Sequence, residues 1–151
     1  MRYLVDDMLH GFRSTPVAAQ WLGLLGLIPF GATVVAGLIP ALQLHSVALQ
    51  ALLAYGAVIL SFLGGIRWGL AIVKAGHADL FSPLLISVLP SLLGWIALLV
   101  SGSTGLLLLA FGFSALLLAD LRLPMAPDWY GALRLPLSVG AIAALLMGVL
   151  F

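Results

Sequence analysis

The sequence predicts an all-α protein: a polytopic membrane bundle of five transmembrane helices, preceded by a short amphipathic interfacial helix. Three observations carry this expectation. Of 151 residues, 64% are hydrophobic and only 7% are charged, whereas a soluble domain carries about 25% charged residues. Apolar runs cover roughly 17–39, 47–73, 83–100, 105–119 and 133–151, each near the roughly 17–25 residues a helix needs to cross about 30 Å of hydrocarbon. The third observation is where the positive charges fall.

Arg2 and Arg13 precede the first run, Lys74 opens the segment after the second, and Arg122 and Arg134 lie between the fourth and fifth. The connections around Gln43-Leu44-His45 and Ser101-Gly102-Ser103 carry no Lys or Arg. Five spans put all five of these positive residues on one side. The positive-inside rule then assigns the amino terminus to the cytoplasm or matrix and the carboxyl terminus to the opposite side. Four or six spans would mix the two sides.

Residues 1–15 form the expected interfacial segment and 16–151 the bundle. Within 3–13, Val5, Met8, Leu9 and Phe12 follow helical spacing, with Asp6, His10 and Arg13 across from them. Such a helix lies in the headgroup layer. Ser14-Thr15-Pro16 then offers a cap and a first-turn proline for the first span. That span is too long, and too interrupted by Pro29, for the roughly 7–15-residue apolar core of a signal peptide. Pro29 and Pro90 fall mid-span, where each is expected to kink its helix and free a carbonyl.

Small residues mark the expected helix contacts. Ala57, Ser61, Gly65 and Gly69 recur every four residues in the second span, and Gly140, Ala144 and Gly148 repeat the pattern in the fifth. Such stripes let backbones approach closely in lipid, where apolar side chains gain nothing by leaving it. The stretch from Asp120 to Arg134 reads as a polar loop. Pro124 and Pro127 bracket a turn, Asp128 caps the last helix, and Trp129-Tyr130 belong to an interfacial aromatic belt.

Several chemistries are excluded. The net charge of +1 and the lack of a basic run argue against nucleic acid. With no cysteine there is no disulfide or thiolate chemistry, and all five acids are Asp. His10, His45 and His77 fall outside the spans, so no intramembrane haem pair is available within one chain. No HExxH, GxSxG or paired intramembrane carboxylate occurs. No catalytic residue, metal or cofactor is expected. Thr33, Ser61, Ser87 and Ser91 are expected to bond back to helix carbonyls, since no base lies in the spans to activate them. There is no internal repeat of the kind many transporters carry.

Arg67 is the charge well inside a span, seven residues before Lys74 and so about 10 Å deeper. An unpaired arginine there costs between about 3 and over 10 kcal/mol. Two readings compete. Its stem runs along the helix and the guanidinium snorkels to headgroups, or it pairs with Asp120 at the end of the fourth span. Arg67, Trp68, Asp120, Trp129, Tyr130 and Arg134 should gather on the charged side. Such a set suits an anionic lipid headgroup, a phosphate-bearing ligand or a partner subunit.

The run Tyr55-Gly56-Ala57-Val58-Ile59-Leu60-Ser61-Phe62-Leu63-Gly64-Gly65-Ile66-Arg67-Trp68-Gly69 resembles the domain of unknown function 3429 family, the transmembrane protein 69-like proteins. Gly26-Leu27-Ile28-Pro29-Phe30, Asp120, Trp129-Tyr130 and Leu133-Arg134 are similar to that family's pattern, so the resemblance covers nearly the whole chain. It implies a small multi-span protein of bacterial or mitochondrial inner membranes and no particular activity. Three functional expectations follow. The first is a non-catalytic accessory or assembly partner of a larger membrane complex, in contact with lipid and with other membrane proteins or copies of itself. The second is a small transporter or channel using Arg67 as an anion or coupling site. The third is a lipid-modifying enzyme, against which the missing Glu and isolated histidines count.

Overall fold

A computed structural model describes residues 14–74, 80–121 and 126–150. The amphipathic segment expected at 3–13 lies outside the described residues. Among the described residues, five helical segments are long and apolar enough to cross a membrane: Val17–Leu38, His45–Val73, Phe81–Val100, Gly102–Asp120 and Trp129–Gly148. The five-span, all-α architecture is therefore the architecture of the chain.

The first span is two helices, α1 (Val17–Leu25) and α2 (Ile28–Leu38), entered from Pro16 at the N-cap. The break falls at Gly26-Leu27, ahead of Pro29, so the proline opens the second helix and does not bend a continuous one. Proline has no N–H for the carbonyl four residues back, and its ring favours the first turn of a helix. The break is satisfied locally and from outside. Leu27 N–H donates to the Leu24 carbonyl at 3.0 Å, and the Tyr55 hydroxyl donates to the Gly26 carbonyl at 2.9 Å. A short 3-10 turn (Pro40–Leu42) then reverses the chain.

The second span, α3 (His45–Lys74), is 30 residues long, or about 45 Å at 1.5 Å per residue. It packs on every other span. The third and fourth spans, α4 (Phe81–Val100) and α5 (Gly102–Asp120), are separated by Ser101 alone. This reversal places Ser101 at φ 58°, ψ −176° and Gly102 at φ 56°, backbone regions that a Cβ disfavours. The sharp turn lets Gly105 seat directly on the Ala97 carbonyl. The last span, α6 (Asp128–Gly148), begins five residues earlier than its apolar run. Trp129, Tyr130 and Arg134 are thus helical residues, not loop residues, and Pro127 occupies the N-cap position expected for Asp128.

The interface pattern differs from the expected stripes. On α3, Ala57 packs on Gly94, and Ser61 meets Ser91 hydroxyl to hydroxyl at 2.8 Å. A Cβ added to Gly65 or Gly69 would meet nothing within 4 Å among the described residues, so these two glycines face open space there. The reason is geometric. Four residues of α-helix turn through about 400°, so a strict four-residue repeat drifts some 40° per step. Three steps carry Gly69 about 120° away from Ala57. The close approach belongs to the neighbouring Gly64, against Ser87 and Pro90. The stripe that answers it is on α4, where Ser87, Pro90, Gly94 and Ala97 are buried. On α6 the small residues do meet neighbours: Gly140 faces Leu27, Gly148 faces Leu52 and Leu106, and Ala144 is buried.

The core lies between α2, α3, α5 and α6. Leu52, Leu60, Leu106, Leu109 and Leu145 are fully buried there. Phe30 packs edge-on to both Tyr55 and Phe113, at centroid distances of 4.9 and 6.2 Å. Thr33 and Ser87 bond back to helix carbonyls as expected, whereas Ser61 and Ser91 bond to each other across α3 and α4.

Candidate functional site

Helices α3 and α5 run parallel with a constant offset. Gly56 lies against Leu109, Leu60 against Gly112, and Arg67 against Asp120, 53 residues apart. That register brings the half-buried Arg67 level with the last residue of α5. From the antiparallel α6, Tyr130 and Arg134 are one turn apart and reach the same point. Four of the six residues singled out from the sequence thus converge.

Asp120 is the hub. Arg67 donates through Nη1 to Oδ1 at 2.7 Å, and Arg134 donates through Nε to Oδ2 at 2.9 Å. The Tyr130 hydroxyl also donates to Oδ2, at 3.4 Å. The Asp120 side chain is completely buried, while Arg67 and Arg134 keep 13% and 6% of their side-chain surface. Of the two readings of Arg67, the structure shows the pair. Each arginine meets the carboxylate through a single nitrogen, so it is Asp120 that bridges, and neither guanidinium grips it as a fork. The carboxylate sits at the negative end of α5, an unfavourable place for a negative charge. Two guanidinium groups offset that placement as well as its loss of water.

The remaining candidates take other positions. Tyr130 is buried, not exposed as a belt residue would be. Trp129 packs edge-on to it with centroids 6.4 Å apart. Trp68 is exposed and takes no part in these hydrogen bonds. Arg134, counted both as a topology charge and as a member of the charged-side set, lies within α6 and is an ion-pair partner of Asp120. Ser138 escaped the sequence reading, yet Tyr130, Arg134 and Ser138 recur at four-residue spacing on α6 and form one polar stripe.

Two arginines against one aspartate leave one net positive charge in the cluster. The Arg134 Nη2 and the Ser138 Oγ are buried with no hydrogen-bond partner among the described residues. Arg134 lines a small cavity of about 130 Å³ at the break in the first span, walled by Gly23, Gly26, Phe30 and Leu137. On the other side of the cluster, Arg67 lines a larger apolar groove of about 480 Å³ between α4 and α5. Chemically the cluster can neutralise or hold an anion and can tie helices together. Among the described residues no three His, Cys, Asp or Glu side chains come together to hold a metal.

Fold and site together define a five-span α-helical membrane protein whose second, fourth and fifth spans are joined by a largely buried Arg–Asp–Arg cluster. The sequence profile of a protein family of unknown function, DUF3429, matches residues 15–150, and the chain belongs to that family. Transmembrane protein 69 of Xenopus tropicalis is 39% identical over 141 residues, which cover 91% of this chain and 55% of that protein. Transmembrane protein 69 of Mus musculus is 34% identical over 137 residues, covering 88% and 52% respectively. The chain spans about half the length of these relatives. No solved structure matches it.

Proposed function

We propose that this chain works by contact, as a non-catalytic accessory or assembly partner of a larger complex in a bacterial or mitochondrial inner membrane. The amino terminus lies on the cytoplasmic or matrix side, an orientation supported by Arg2, Arg13, Lys74 and Arg122. The observation that carries the reading is the outer face of α3. Val58, Phe62, Gly65, Gly69 and Ile72 are all exposed and recur at alternating spacings of four and three residues, the rhythm of a helix-packing seam. The two glycines make a notch between flanking large side chains, open to any helix that approaches. A transporter reading would give Arg67 to a passing anion. Beyond Arg67 the groove beside it is walled by apolar side chains and glycine, so it offers an anion no polar path, which favours the contact reading.

A photo-crosslinking residue at Phe62, compared with one at Leu99 on α4, tests the proposal in native membranes. A discrete protein adduct from position 62, another protein or a second copy, is expected, and Gly65→Leu should abolish it. Adducts of equal yield at both positions, or none beyond lipid at position 62, would overturn the reading.

A further inference from the structure

We propose that the groove between α4 and α5 is a binding site for one acyl chain of an anionic phospholipid, with the lipid phosphate held by Arg67. The groove is walled by Ile86, Leu93 and Ile96 of α4 and by Phe111, Ala115 and Ala119 of α5. Small residues on α5 make it deep: Ala115 and Ala119, one turn apart and both exposed, leave room where larger side chains would fill it. From Ala119 to Phe111 the wall runs about 12 Å, and from Ile86 to Ile96 about 15 Å, at 1.5 Å per residue. That is close to half of the roughly 30 Å hydrocarbon core, the depth of one leaflet.

Among the described residues walling the groove Arg67 alone is charged, and the register that pairs it with Asp120 places it at the Ala119 end. This is the end of the groove at which α5 terminates, on the side where α3 runs on seven more residues to Lys74. An acyl chain of that leaflet lying along the groove therefore brings its phosphate toward Arg67. Charge selects the headgroup. The cluster carries two arginines for one aspartate, and Arg67, the more exposed of the two at 13%, opens that excess charge to the groove. A guanidinium has five N–H donors, and Asp120 takes the Nη1 contact, so the group can bond a phosphate without leaving its partner. A neutral lipid headgroup would leave the positive charge uncompensated near the hydrocarbon, where charge is costly.

Native mass spectrometry of the full chain, released from micelles holding equimolar phosphatidylglycerol and phosphatidylcholine, tests the site. One tightly retained phosphatidylglycerol is expected, favoured at least threefold over phosphatidylcholine. Ala115→Trp fills the groove without touching the cluster and should remove the retained lipid. Ile86→Trp serves the same purpose should the first variant fold poorly. Arg67→Gln should keep a retained lipid but bring the headgroup preference close to one. Millimolar inorganic phosphate, which has no chain to bury, should not displace the lipid. Retention unchanged by the folded tryptophan variant, a preference absent in the parent, or displacement by free phosphate would each reject the proposal.

Discussion

Replacing Asp120 with Asn should harm this protein more than removing either arginine, although each change deletes one charge. The asymmetry follows from the geometry, in which one carboxylate serves two guanidinium groups at 2.7 and 2.9 Å. Arg67→Gln leaves Asp120 paired with Arg134 and the cluster electrically neutral. Its expected cost is one charge-assisted hydrogen bond, about 1.5–3 kcal/mol, reduced by relief of the excess positive charge. Asp120→Asn strands both arginines. Breaking a buried pair by removing one partner costs about 3–5 kcal/mol, and Arg134, with 6% of its side chain exposed, has little route to water. Arg67 is more exposed and can relax outward along its stem, so the expected total stays near the upper end of that range and does not double. Adding Arg67→Gln to Asp120→Asn should then cost less than the sum of the single changes, by about 1–3 kcal/mol. Unfolding of the four proteins in mixed detergent micelles, followed by tryptophan fluorescence, measures the cycle. Additive losses, or an Asp120→Asn protein as stable as Arg67→Gln, would falsify the bridging carboxylate.

Three further outcomes are expected. Gly64→Leu should lower stability in detergent sharply, by several kcal/mol, because its side chain would enter the α3–α4 contact at Ser87 and Pro90; Gly65→Leu, facing open space, should be nearly neutral in the same thermal assay, and equal losses would disprove this register. Ser101→Gly should stabilise the α4–α5 reversal by about 1 kcal/mol and Ser101→Val should destabilise it, since φ 58° with ψ −176° suits glycine; the reverse order in thermal melts would show the turn is built otherwise. Single cysteines at Gly76 and Met125 should be labelled from the cytoplasmic or matrix side and cysteines at His45 and Phe151 from the other, and labelling of Gly76 and Phe151 from one side would reject the orientation.

The spans were legible because each is a long apolar run whose ends are marked by Gly, Pro or charge. Less legible was the start of α6. Asp128, Trp129, Tyr130 and Arg134 look like interfacial loop residues when only polarity is weighed, yet Pro127 followed by an acid is also a helix opening. Read as a helix, the same residues show Tyr130, Arg134 and Ser138 on one face, and the partner side of the cluster emerges. The glycine stripe on α3 misled for a different reason. Spacing says which residues are near one another along a helix, but a four-residue repeat winds around it, and only the neighbour's position decides which turn is buried. The Arg67–Asp120 pair was one of two sequence expectations, and the choice between them depends on the register of two residues 53 apart on different helices. Composition names both charges as unusual and says nothing of their relative height.

That separation has a consequence for how the chain is made. During synthesis Arg67 is made 53 residues before its carboxylate partner, and Arg134 follows Asp120 only 14 residues later. Until the fourth span arrives, the second must carry a bare guanidinium about 10 Å below its end, a placement that favours keeping the helix shallow or tilted so the charge stays near the headgroups. Pairing with Asp120 is expected to remove that restraint. The fifth span then enters with Arg134 already facing a carboxylate, so its insertion closes the cluster. The bundle's charges thereby impose an order on its assembly, with the last helix acting as the latch.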